Sequence, residues 1–133
     1  MSLLSNAVSQ DCCLGNDTYS LFADGTSGRI AISINGHQVV NQELLFFPTP
    51  PENPIPGTLN IRPGDNVDVT VTNLLDGFCL NVNTTIVVTG YDLNNVMVSM
   101  EGDSTMTDTV AWSFVAQPGV RYVIDGIAHC HGS

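Results

Sequence analysis

The sequence predicts an all-β domain, a Greek-key β-sandwich of about eight strands. Three observations predict it. Short apolar-alternating runs recur along the chain, and turn dipeptides punctuate them. Val, Ile and Thr are abundant while Lys is absent and Glu scarce, a balance that favours strands over helices. No window carries the three-to-four-residue apolar period of a helix, and no internal repeat is evident.

The elements follow in order. Residues 1–16 read as an irregular lead-in, and the domain proper runs over 17–133. Tyr19–Ala23 alternates weakly, and Asp24-Gly25 and Ser27-Gly28 are turn dipeptides. Ile30–Ile34 alternates apolar with small residues, and Asn35-Gly36 is a strong hairpin signal. Val39, Val40 and the run from Leu44 to Phe47 read as extended and partly buried. Residues 48–57 hold five prolines, which remove ladder donors, so the stretch is expected to be a surface loop outside any central strand.

Thr58–Arg62 reads as a strand and Pro63-Gly64-Asp65 as a turn. Val67, Val69 and Val71 share one face of a half-buried strand that ends at Asn73. Asp76-Gly77 turns the chain. Val82–Thr89 is β-branched along most of its length and is expected to be central. Val96, Val98 and Met100 alternate again, and Glu101-Gly102-Asp103 is expected to be a turn. Val110–Val115 carries Trp112 and Phe114 on one face, as core residues. Pro118-Gly119 then leads into Val120–Ile124.

The 133 residues fit one domain, which at this length buries about two-thirds of its unfolded surface and holds a core without disulfide staples. The net charge is −10, with Arg29, Arg62 and Arg121 as the only Lys or Arg residues. A phosphate backbone needs clustered cations to displace counterions, so nucleic acid is excluded as a partner. The same charge disfavours an anionic membrane surface. No stretch approaches the ~20 apolar residues of a membrane-spanning helix. The acidic residues are scattered, which speaks against a dedicated calcium site.

Four cysteines stand at Cys12, Cys13, Cys79 and Cys130, without the spacing of a zinc ribbon. Adjacent Cys12 and Cys13 do not readily bond each other; in an oxidising compartment one of them can pair with Cys79 or Cys130, and the sequence leaves the pairing open. Cys79 otherwise reads as a buried apolar thiol. Asn16-Asp17-Thr18 and Asn83-Thr84-Thr85 match the N-glycosylation pattern. With the missing Lys they place the chain outside the cytoplasm or in secretion, although the first eight residues show no basic segment and no apolar run of signal-peptide length.

From about Tyr19 to Ser133 the order of motifs resembles the first plastocyanin-like (cupredoxin) domain of the multicopper oxidases, the laccase family. Ile34-Asn35-Gly36 resembles an early "I-N-G" step. Ile55-Pro56-Gly57-Thr58-Leu59-Asn60-Ile61-Arg62-Pro63-Gly64-Asp65 resembles "I-P-G-P-T-L-x-V-x-x-G-D". Val67 to Asn73 resembles the strand that follows. Thr109 to Phe114 and Gln117 to Tyr122 resemble a later aromatic block. The resemblance implies a cupredoxin-type sandwich, copper, and a partner domain or chain.

It also implies two His-x-His pairs, because imidazole suits copper and alternate strand residues share a face. The first pair belongs within "T-S-I-H-W-H-G", where this chain reads Thr84-Thr85-Ile86-Val87-Val88-Thr89-Gly90. Val87 and Thr89 stand in place of both histidines. An ungapped match places Ile124 and Gly126 at the second pair, and a short shift brings His129 and His131 there instead. His129-Cys130-His131 also resembles the "H-C-H" of the family's last domain, where the cysteine serves a type 1 copper.

His129, Cys130 and His131 are therefore the candidate metal ligands. A complete blue-copper site needs an upstream histidine, for which only His37 is present, and a ligand pair beyond the cysteine. Met97, Met100 and Met106 all precede it. His37 reads as an exposed turn residue, and Tyr91 and Asp92 as loop residues. No nucleophile elbow, phosphate loop or paired-carboxylate signature is present.

The expected function is a non-catalytic cupredoxin-like module that binds or packs against another domain or chain. The alternative is a copper-binding oxidoreductase fragment completed by another chain or domain. A third reading is a disulfide-stabilised secreted binding domain.

Overall fold

A computed structural model of the chain describes residues 17–46, 55–75 and 79–131. These form nine strands in two packed sheets, with no helix among the described residues. The strands are β1 (Asp17–Asp24), β2 (Gly28–Ile34), β3 (His37–Leu44), β4 (Ile55–Leu59) and β5 (Asn66–Asn73). They continue as β6 (Asn81–Tyr91), β7 (Met97–Thr105), β8 (Thr109–Val115) and β9 (Arg121–His131). One sheet has the order β4-β1-β9-β6-β7 and the other β3-β2-β5-β8.

The period-two residues define the core. Val67, Val69 and Val71 of β5 are fully buried and lie opposite Ile34, Ile32 and Ile30 of β2 in register. Leu21, Ile86, Val88 and Ile124 face them from the five-stranded sheet. Each strand thus turns one row of branched side chains inward, which is what a half-buried sheet selects. Phe114 and Tyr122 pack with ring centroids 4.8 Å apart. Trp112 is only partly buried. It bridges the sheets by donating its indole N–H to Glu101 Oε1 at 2.9 Å.

β1 and β9 pair in parallel, from Thr18 opposite Val123 to Asp24 opposite His129. The first and last strands are thereby neighbours, and β9 lies between β1 and β6. The β-branched β6 is central, as its composition predicts, flanked by β9 and β7.

Several expectations need correction. Glu101-Gly102-Asp103 is no turn; it lies inside β7. Gly102 opposite Val87 has φ 151°, and a Cβ there would stand 1.9 Å from the Ile86 carbonyl oxygen, so the glycine permits a close approach within the strand. The reversal comes earlier, where Asp92 N–H donates to Val96 O and Asn95 N–H to Asp92 O, each at 2.9 Å. Asn95 takes the left-handed φ of 62° that asparagine tolerates.

The strand expected over Thr58–Arg62 is instead Ile55–Leu59. Pro56 joins it because β4 is an edge strand whose only described neighbour is β1. Residues 47–54, most of the proline-rich stretch, lie outside the described residues, as do the lead-in and Asp76-Gly77.

Asp17 opens β1 as a buried carboxylate. It accepts the Tyr122 N–H on Oδ1 at 2.8 Å and the Ile61 N–H on Oδ2 at 3.0 Å. Burial raises its pKa above the ordinary 3.8, against the lowering pull of those amides and of Arg121. Folding therefore favours the protonated form. The Asp17 contribution to stability is fully present below pH 3.8 and is lost as pH rises through the folded-state pKa. Urea midpoints of wild type and Asp17→Asn, measured across this range, are expected to show the wild-type advantage shrinking as pH increases. An advantage that grows with pH would mean that the amides and Arg121 outweigh desolvation.

Candidate functional site

The end of the five-stranded sheet holds the candidate ligands. Along β9 burial alternates strictly. Ile124, Gly126, Ala128 and Cys130 face the core, while Asp125, Ile127, His129 and His131 face outward. The alternation separates the three residues that the sequence groups together. His129 and His131 share the outer face, and Cys130 points the other way. His129-Cys130-His131 is also the end of an interior strand rather than a loose end: His129 pairs with both β1 and β6, and Cys130 and His131 pair with β6.

The two imidazoles converge. His129 Nε2 lies 2.8 Å from His131 Nε2 and 3.4 Å from His131 Nδ1, with ring centroids 4.0 Å apart and planes at 83°. A hydrogen bond between ring nitrogens needs one lone pair, so this contact requires at least one neutral ring. The other nitrogen of His129, Nδ1, lies 3.2 Å from Asp24 Oδ2 on the parallel neighbour β1. With Nδ1–H donated to that carboxylate, the Nε2 lone pair points toward His131. This is how an outer carboxylate fixes the tautomer of a ligating histidine.

The backbone around the pair is held from inside. The His129 carbonyl accepts from Asn73 Nδ2 at 3.1 Å. Asn73 Oδ1 accepts from Thr26 Oγ1 at 2.7 Å and from Leu75 N–H at 3.2 Å. Asn73 and Thr26 are both buried, so these bonds tie the β1–β2 turn, the end of β5 and the end of β9 together away from water. Gly25 has φ 76°, and a Cβ there would meet the Cys130 carbonyl oxygen at 2.3 Å.

Cys130 forms a disulfide with Cys79. The pairing that the sequence leaves open is a bond between these two, since the fold brings Cys79 and Cys130 to a Cα separation of 5.7 Å. Cys12 and Cys13 lie outside the described residues. Cys79 is thus not a buried apolar thiol in a strand. It precedes β6 and fastens the start of that strand to the end of β9. In this state Cys130 supplies no thiolate.

The remaining candidates are dispersed. His37 opens β3 on the other sheet, exposed, at the far end of β2 from Gly28, which packs on Ala128. Val87 and Thr89 lie on β6 opposite Asp125 and Val123 of β9. Ile124 and Gly126 face the core, where Gly126 meets Val71 and Ile30. Met97, Met100 and Met106 are exposed, the first two on the edge strand β7. Tyr91 packs beneath the Arg121 guanidinium, 4.7 Å from the ring centroid, and Asp92 caps the turn.

Two shallow depressions of about 490 and 540 Å³ lie on the five-stranded sheet. One is floored by Thr18, Ser20 and Pro56, the other by Thr85, Val87 and Ser104. Neither brings a nucleophile to a histidine.

Sequence reasoning missed Asp24 and Asn73. Asp24 was readable only as half of an Asp-Gly turn, and Asn73 only as the end of a Val-Thr-Asn strand. Their roles depend on strands that meet across the whole chain.

No protein-family model, no curated protein and no solved structure matches this chain.

Proposed function

We propose that this chain is a non-catalytic module, a Greek-key sandwich of the cupredoxin type that works by packing against or binding another protein domain or chain. The observation that carries the reading is the pairing of Val87 and Thr89, the two positions where the resemblance to a multicopper-oxidase first domain calls for imidazoles. They stand opposite Gly102 and Met100 on one side and Asp125 and Val123 on the other, so no imidazole neighbours either position. The frame is kept while the ligands are replaced. One further feature supports the sandwich type. The Tyr122 hydroxyl accepts the Gln117 N–H at 2.8 Å, five residues upstream, as in a tyrosine corner. The Cys79–Cys130 bond fits an oxidising, extracytoplasmic setting.

A second reading is favoured by one specific observation, the convergence of His129 and His131. Two imidazole nitrogens 2.8 Å apart on one strand face suit two positions of a copper ion, with Asp24 as the orienting carboxylate. Cys130 does not fit this set, because it faces inward and is bonded to Cys79. In the oxidoreductase reading the other donors come from another domain or chain. Bound copper would supply one-electron chemistry; the chain itself holds and orients the two rings.

Copper titration by calorimetry and optical absorbance separates the two. The module reading expects no stoichiometric uptake, or weak uptake unchanged in His129→Ala/His131→Ala. Tight uptake that this double substitution abolishes, and that Asp24→Asn weakens roughly 10-fold or more as for other orienting partners, replaces it with the oxidoreductase reading.

A further inference from the structure

We propose that Asn83 is an N-glycosylation site, the acceptor for an oligosaccharide on the outer face of the five-stranded sheet. Asn83-Thr84-Thr85 has the acceptor pattern, with no proline in the middle. The pattern is common by chance, so its placement decides the matter.

Along β6, Asn83 is exposed while Thr84 is fully buried, and Asn83 therefore projects from the sheet. Its amide oxygen is occupied: Thr85 Oγ1 donates to it at 2.9 Å and Ser104 Oγ at 3.1 Å. Both donors sit beside it, one on β6 and one on β7. With the oxygen held toward these hydroxyls, the amide nitrogen is left without a hydrogen-bond partner among the described residues and faces solvent. That nitrogen is the atom that carries the sugar. A glycan attached there displaces no hydrogen bond and buries no polar group.

The disulfide is the second, independent observation. Cys79 is four residues before Asn83, and its bond to Cys130 belongs to a compartment that oxidises thiols. In secreting cells that is where asparagine is glycosylated. The other acceptor pattern begins at Asn16, outside the described residues. Its middle residue, Asp17, is a buried carboxylate bonded to two backbone amides.

The transfer is a displacement. The Asn83 amide nitrogen attacks the anomeric carbon of a lipid-linked oligosaccharide diphosphate. A C–N bond forms, the C–O bond to the diphosphate breaks, the lipid diphosphate leaves, and the amide gives up one proton. The hydroxyl of Thr85 completes the acceptor pattern.

The test is to translate the full chain behind a secretion leader in microsomes and in a secreting eukaryotic cell, then map glycopeptides by mass spectrometry with and without peptide-N-glycosidase. The expected result is an oligosaccharide mass on the peptide containing Asn83, removed by the enzyme. Asn83→Gln and Thr85→Ala abolish it, and Thr85→Ser retains it. Translocated protein with unmodified Asn83, or with sugar only at Asn16, overturns the proposal. The microsome arm gives this answer even where a variant folds too poorly to be secreted.

Discussion

Reduction of Cys79–Cys130 is expected to lower the stability of the fold by about 2–4 kcal/mol. The bond closes a separation of 51 residues, which runs from the entry of β6 through β7 and β8 to the end of β9. In the chain-entropy picture, a loop of this length restricts the unfolded ensemble by an amount near the upper end of that range. The native side of the balance changes less. β9 keeps its pairing with β1 from Thr18 to Asp24 and with β6 from Asn81 to Tyr91, so the reduced domain still has its core. A domain of ordinary stability, about 5–15 kcal/mol, survives such a loss with a lower urea midpoint. The check is urea unfolding of the oxidised protein, the reduced protein and Cys79→Ala/Cys130→Ala. Reduced protein and double variant should agree, because both lack the cross-link. Equal midpoints for oxidised and reduced protein would overturn the expectation, as would four reactive thiols in the denatured, unreduced chain.

This bond also shows what local reading reaches in this sequence and what it does not. The valines of β5 announce their strand and its buried face, because period two is a property of adjacent residues. The partner of Cys79 is not such a property. It depends on β9 returning between β1 and β6, which no window of the sequence contains. Gly102 illustrates the converse error. An acidic–glycine–acidic triplet reads as a turn, yet the same glycine serves where one strand backbone closes on the Ile86 carbonyl. His129, Cys130 and His131 form a middle case. Their alternation was available from sequence, since adjacent strand residues face opposite sides. The assignment of Cys130 to a common donor set with its neighbours needed a bend that β9 does not have.

Asn73→Ala is expected to destabilise the domain by about 3 kcal/mol, because it breaks three hydrogen bonds at a buried position. The side chain is 2% exposed and serves three elements at once. Its oxygen takes the Thr26 hydroxyl and the Leu75 amide, and its nitrogen serves the His129 carbonyl. Thr26 is itself 1% exposed, so water does not readily replace what it loses, and its hydroxyl keeps only the longer 3.3 Å bond to Ser27 O. The substitution also acts on the candidate site. The carbonyl it releases belongs to His129, and the neighbouring Cys130 carbonyl packs on Gly25. The end of β9 should therefore lose hydrogen-exchange protection at His129 to His131 more than at Ile124 or Ala128, which stay between the two sheets. Asn73→Asp separates geometry from charge. It keeps the shape and the acceptor for Thr26, but it places a carboxylate oxygen against the His129 carbonyl and buries a charge. Its loss should be at least as large as that of alanine at neutral pH and should shrink in acid, where the protonated carboxyl can donate to His129 O. A change within about 0.5 kcal/mol for Asn73→Ala, the range of ordinary surface substitutions, would mean that this end of the sandwich is held by the Cys79–Cys130 bond and strand pairing alone.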